Sequence, residues 1–108
     1  MTGLPLRFHS AAAAEVAEAV LYYELRRQGL GADFLKEVRA AAQRIQNSPT
    51  AFTPATEWST GTQPVVKRIR LKRFPFRVVF VQLEDALFII ALAHQHRRPG
   101  YWQLRFPH

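Results

Sequence analysis

The residues best equipped for chemistry lie near the end of the chain, in Ala93-His94-Gln95-His96-Arg97-Arg98-Pro99-Gly100-Tyr101-Trp102. His94 and His96 fall on one side if a strand persists through them, a spacing that suits a metal pair or a general base. No Asp, Glu or Cys stands nearby in sequence to complete a ligand set, so neither metal nor any other cofactor is expected. Arginine stays protonated and cannot be a base. An RNA-cleaving site would therefore need His94, His96 or a lysine for proton transfer, with arginines stabilising charge on the phosphate. Arg98-Pro99-Gly100-Tyr101 is a turn signal, since Pro sets the first central residue and Gly allows positive φ at the second. It folds Tyr101 back beside the arginines. There Tyr101 and Trp102 either stack on bases or cover the end of the sheet core.

A second set of cations comes from a strand. Arg68, Arg70 and Lys72 alternate with apolar residues, so they share one face about 7 Å apart, and Arg77 joins them from the next strand. These four, with Arg97, Arg98 and Tyr101, are the candidate nucleic-acid or target-binding residues. The alternative is a solvated sheet face whose charges discourage edge pairing. From Val65 onward nine Lys or Arg stand against Glu84 and Asp85, which accounts for the whole net charge of +7. The first 64 residues carry six basic and six acidic side chains and are neutral. Localised positive charge points to an anionic partner, either nucleic acid or an acidic protein segment.

The elements that position these residues follow from periodicity. Leu4 to Phe8, containing Pro5, reads as a short edge strand. Ser10 is the expected N-cap of a helix running to about Arg27, with Ala13, Val16, Ala17, Val20 and Tyr23 on its apolar face and Glu15 and Glu18 toward its positive end. Gly29 is the expected left-handed stop. A second helix, Ala32 to about Asn47, buries Phe34, Val38, Ala41, Ala42 and Ile45, making an antiparallel helical hairpin. Ser48-Pro49 ends it, and the loop to Pro64 has Phe52 and Trp58 as pins. Val65, Ile69 and Leu71 then mark one face of a strand. The turn Arg73-Phe74-Pro75-Phe76 sets Lys72 opposite Arg77, Leu71 opposite Val78 and Ile69 opposite Phe80. Leu87 to Ala93 is apolar on both faces, as a central strand is. This is an α+β fold in one domain, residues 1–108: an N-terminal strand, an antiparallel helical hairpin, then a three-stranded antiparallel sheet packed on the helices. Arg77, Arg97 and Tyr101 are expected to meet at the open end of that sheet.

Composition narrows the classes further. With 48% hydrophobic residues in 108, the chain can bury roughly two thirds of its unfolded surface. The absence of cysteine removes disulfides and thiolate zinc sites, and suits the cytoplasm. The longest apolar run, Ala86 to Ala93, is far short of the ~20 residues of a membrane helix, so no membrane is expected as a partner.

In order along the chain, the tandem helices with Tyr22-Tyr23-Glu24 and Gly29-Leu30-Gly31-Ala32-Asp33-Phe34, the Pro49 loop, Arg73-Phe74-Pro75-Phe76-Arg77-Val78 and the ending from Ala93 to Trp102 resemble the RelE/ParE superfamily of type II toxin-antitoxin toxins, nearest the ParE-like, plasmid-stabilisation arm. The resemblance implies a growth-inhibiting toxin, neutralised by a cognate antitoxin whose acidic amphipathic segment wraps it in a toxin-antitoxin hetero-oligomer. ParE-like members poison DNA gyrase, whereas RelE-like members cut mRNA on the ribosome. For the nuclease case it implies Arg77, Arg97 or Arg98, and Tyr101 as catalytic residues, with His94 as an additional candidate.

Overall fold

The computed structural model describes residues 4–47, 66–98 and 100–105. The loop from Ser48 to Pro64, with the expected pins Phe52 and Trp58, lies outside the described residues, as do Val65 and Pro99. Strand β1 (Leu6–Phe8) leads into helix α1 (Ser10–Arg26), and α2 (Leu30–Asn47) precedes β2 (Val66–Arg70), β3 (Phe76–Gln82) and β4 (Leu87–His94). A short 3₁₀ turn follows at Gln103–Arg105. The sheet order is β1-β4-β3-β2, with β1 parallel to β4 and the other pairs antiparallel. The expected α+β architecture is thus the observed one, with β1 as an edge strand that makes the sheet mixed.

The switch from strand to helix takes place at a single residue. His9 donates its backbone N–H to the Ile89 carbonyl at 2.8 Å, extending the β1 ladder, while its Nδ1 accepts from the Ala11 N–H at 3.0 Å. His9, in extended backbone, is therefore the N-cap of α1, not Ser10. The helix buries Ala12 and Ala19, with Val16, Val20 and Tyr23 packed partly against the core. Ala13 and Ala17, expected inside, are exposed.

Gly29, at φ +89, reverses the chain. The second helix begins at Leu30, two residues earlier than expected, because the Glu24 carboxylate caps it. That carboxylate accepts from the Gly29 N–H at 3.0 and 3.1 Å and from the Gly31 N–H at 3.0 Å. A carboxylate at a helix N-terminus also opposes the positive end of the helix dipole. Gly31 lets the helices close: a Cβ there would stand 2.7 Å from the Val20 carbonyl oxygen. Gly31→Ala is accordingly expected to destabilise the chain by about 1–3 kcal/mol, read as a lower urea midpoint at unchanged slope. The stripe Phe34, Val38, Ala41, Ala42 and Ile45 is buried as expected.

The β2–β3 register differs from the expected one by two residues. Arg70 pairs with Arg77, Ile69 with Val78 and Lys67 with Phe80. The Leu71 N–H still donates to the Phe76 carbonyl at 3.0 Å, closing the hairpin, while the connection turns Phe74 into the core and the Glu37 carboxylate of α2 accepts from the Lys72 and Arg73 N–H groups at 3.0 and 3.2 Å. Phe74 then packs with Tyr23 and Phe34, ring centroids 4.8 and 4.9 Å away, tying the hairpin tip to both helices. A shift of two keeps each side chain on its expected face.

Both sheet faces carry a core. Ile69, Val78, Phe80, Leu87, Ile89 and Leu92 face the helices. Val66, Val79, Val81, Ile90 and Ala91 form a second apolar cluster on the other face, covered by Trp102. The face that carries Arg68 and Arg70 is therefore partly roofed by the C-terminal segment, and Trp102 takes its core-covering role. A β-bulge at Ile90, between the pairs Val79–Ala91 and Phe80–Ile89, turns Ile90 and Ala91 to the same face. Leu92 and His94 are thereby rotated toward the helices.

Candidate functional site

The short β1 is what creates the site. It pairs only with Leu87, Phe88 and Ile89, so the second half of β4 is an edge with backbone groups to satisfy. Side chains take the place of a strand there. Glu15, on α1, accepts from the Leu92 N–H at 3.0 Å, and Arg105 donates to the Ile90 carbonyl at 3.1 Å. Glu15 also accepts two bonds from the Arg105 guanidinium, at 2.8 and 3.1 Å, and one from the Tyr101 hydroxyl at 2.8 Å. Both members of this ion pair are over four-fifths buried, which makes it a bidentate, largely desolvated contact. Its hydrogen bond to Glu15 is the chief cause raising the Arg105 pKa.

Tyr101 is held by this clasp. Burial first, and then donation to the Glu15 carboxylate, push its pKa well above the ordinary tyrosine value, so its neutral form is favoured. The stability it contributes is present below the unfolded tyrosine pKa near 10 and is lost as pH rises from there. Thermal melts should therefore fall above about pH 10, and Tyr101→Phe should lessen that fall. Tyr23, also raised chiefly by burial, keeps part of it.

Above the clasp lies a cleft of about 730 Å³ between α1 and the ends of β3 and β4. Ala19, Tyr23, Phe76 and Leu92 line it together with His94, Arg97 and Tyr101. The turn into it is the expected one: the Tyr101 N–H donates to the Arg98 carbonyl at 3.3 Å, with Gly100 at φ +83. This lays the Arg97 guanidinium over the Tyr101 ring, 4.0 Å from its centroid. On the opposite wall Arg26 stands over the Tyr22 ring at 4.6 Å and donates to its hydroxyl. Two cations held on aromatic faces thus flank an apolar floor, an arrangement suited to gripping an acidic group beside an apolar one.

The histidines are arranged by the turn. His94 Nδ1 accepts from the His96 N–H at 3.1 Å, which puts the ring hydrogen on Nε2. Its ring meets Phe76 edge-on at 5.0 Å and His96 at 5.2 Å. Among the described residues no group of three or more His, Asp or Glu could hold a metal ion.

The candidates read from sequence thus separate into two groups. Arg97, Tyr101 and His94 share the cleft. Arg77 does not join them: it faces the other side of the sheet, opposite Arg70, where the two line a small pocket with Gln95. Alternation along β3 is the reason, since Phe76 points to the helices. Arg68 is half-buried beside the second core, while Lys72 and Arg98 are exposed in turns. Glu15, Arg105, Tyr22 and Arg26 were not among the candidates. For Glu15 the available signal was a carboxylate set among the alanines of α1, and Tyr22 stood in the motif Tyr22-Tyr23-Glu24.

No helix among the described residues is long and apolar enough to cross a membrane. No family model matches the chain, and no curated protein matches it. Among solved structures, a chain described as "Chromosomal ParDE TA system from P. aeruginosa" aligns with a TM-score of 0.58 over 87% of this chain and 98% of that one, at 18% identity. At that identity the likeness is one of architecture: the chain has the fold of this ParDE protein, the α+β arrangement expected from the sequence.

Proposed function

We propose that the chain is the toxin of a type II toxin-antitoxin pair, that a cognate antitoxin neutralises it in a hetero-oligomer, and that it stops growth in the cytoplasm by binding DNA gyrase. The fold it shares with a ParDE protein supports the toxin assignment. Binding, as opposed to cutting, is supported above all by Tyr101. Its hydroxyl donates to Glu15 and its ionisation is suppressed, so it is poorly placed to take a proton from a ribose hydroxyl. His94 Nδ1 already accepts a backbone hydrogen, and Arg77 lies on the opposite sheet face from Arg97. A nuclease needs these groups converging on one phosphate.

The second reading, a ribosome-dependent mRNA endonuclease, draws on Arg97, Tyr101 and His94 lining one cleft. Expression of the chain alone, followed by parallel assays of DNA damage and of transcript integrity, separates the two. Arrest with DNA damage and intact transcripts is the expected result, relieved by co-expression of a short acidic protein encoded next to the chain. Arrest with cleaved transcripts and undamaged DNA would favour the nuclease.

A further inference from the structure

We infer that His94 ties the cleft's hold on an acidic group to pH, the grip tightening when its ring is protonated; this rests on the reading of the cleft as a binding surface. His94 ends β4 and, half-buried, meets the cleft from the sheet side. One bond to an unprotonated nitrogen positions it, since Nδ1 accepts from the His96 N–H at 3.1 Å. That bond needs a lone pair. Protonation sets a second N–H against the first, so the bond is lost and the ring is released from the turn. The turn itself is closed by the Arg97 N–H on the His94 carbonyl at 2.9 Å, a backbone bond that survives. Arg97 therefore stays in place while a new charge appears beside it. Histidine is the side chain whose ordinary titration falls between pH 5 and 8.

The groups around His94 decide what that charge does. Arg26 on the α1 wall and Arg97 in the turn are permanent cations, each seated on a tyrosine ring. Tyr22 accepts from Arg26, while Tyr23 and Tyr101, both raised chiefly by burial, stay neutral across this range. Glu15 is committed to Leu92, Tyr101 and Arg105. Glu18, exposed on α1, is the remaining carboxylate of the cleft. From β3 comes Phe76, uncharged, its ring edge-on to His94 at 5.0 Å. His96 is exposed in the turn, its ring 5.2 Å from that of His94. Protonated His94 thus raises the cations of the cleft from two to three against one uncommitted carboxylate, beside the apolar floor of Phe76 and Leu92.

Phenylacetate, a carboxylate beside an apolar ring, is the probe. Its affinity for the full chain is read from shifts of the Tyr23, Phe76 and Leu92 resonances at about pH 5.5 and about pH 8, where the probe is predominantly ionised. It should bind about threefold more tightly at the lower pH, the scale of one added charge in a partly solvated site. The His96 backbone amide should shift over the same pH range, reporting the broken bond. His94→Gln should bind the probe equally at both pH values, whereas His96→Gln, which keeps its backbone N–H, should respond as wild type does. The wild-type comparison stands whether or not either variant folds. Equal or weaker binding at the lower pH, as when Glu18 claims the new charge, overturns the inference and leaves the cleft reading intact. So does a pH response that survives His94→Gln. No binding at either pH removes the cleft reading and the inference together.

Discussion

Replacing Glu15 with alanine is expected to cost the chain roughly 2–4 kcal/mol, with Tm lower by on the order of 10 °C or more. The reason is the number of groups one carboxylate satisfies. Without it the Leu92 N–H on the open half of β4 loses its acceptor, Tyr101 loses the partner of its hydroxyl, and Arg105 is left over four-fifths buried with no opposite charge. An uncompensated buried charge accounts for the largest share. Glu15→Gln keeps the size and an acceptor oxygen, so its loss should fall between wild type and alanine. Arg105→Ala should also cost less than Glu15→Ala, because Leu92 and Tyr101 still donate to the carboxylate. Thermal and urea melts of the three variants give the order directly; equal losses for Glu15→Ala and Glu15→Gln would place the stabilisation in the charge pair alone.

If the chain inhibits growth as proposed, Arg97→Ala is expected to abolish most of that inhibition while leaving the melt nearly unchanged. Arg97 is exposed, and its visible engagements are a backbone bond to the His94 carbonyl, which alanine keeps, and its stacking over Tyr101. Loss of an anchoring arginine at a binding surface typically costs 2 kcal/mol or more, about thirtyfold in affinity. Arg77→Ala provides the contrast. Arg77 lies on the other sheet face, directly opposite the like charge of Arg70, so its removal relieves a repulsive pair. If the cleft is the target-binding site, Arg77→Ala stays toxic and Arg97→Ala does not. The reverse pattern would move the functional surface to the Arg70–Arg77 face.

How far the sequence could be read depended on the range of the interactions involved. Local signals were sufficient for the buried stripe of α2, for Gly29 at its positive φ, and for the doubly apolar β4 as an inner strand. They failed where a distant residue decides a local outcome. The β2–β3 register was displaced because Leu71 and Phe74 find their places against α1 and α2, and the loop is held by Glu37, 35 residues earlier in the chain than Lys72. The bulge at Ile90 was invisible in a run apolar on both faces, since alternation has no contrast there, yet it decides that His94 faces the helices. Glu15 looked like a helix-dipole residue and is instead the acceptor for Leu92, 77 residues away. Likewise, proximity in sequence grouped Arg97 with Tyr101 correctly, whereas the pairing of Arg77 with them assumed a common face that β3 does not provide.

The most direct test of binding against cutting uses one preparation of the purified chain in two assays. It is incubated with DNA gyrase and relaxed plasmid, and in parallel with programmed ribosomes carrying mRNA in the decoding site. Inhibition of supercoiling, with transcripts left intact, is the result that the proposed binding function predicts, since Tyr101 and His94 are already engaged within the fold. Cleaved transcripts beside unimpaired supercoiling would contradict it.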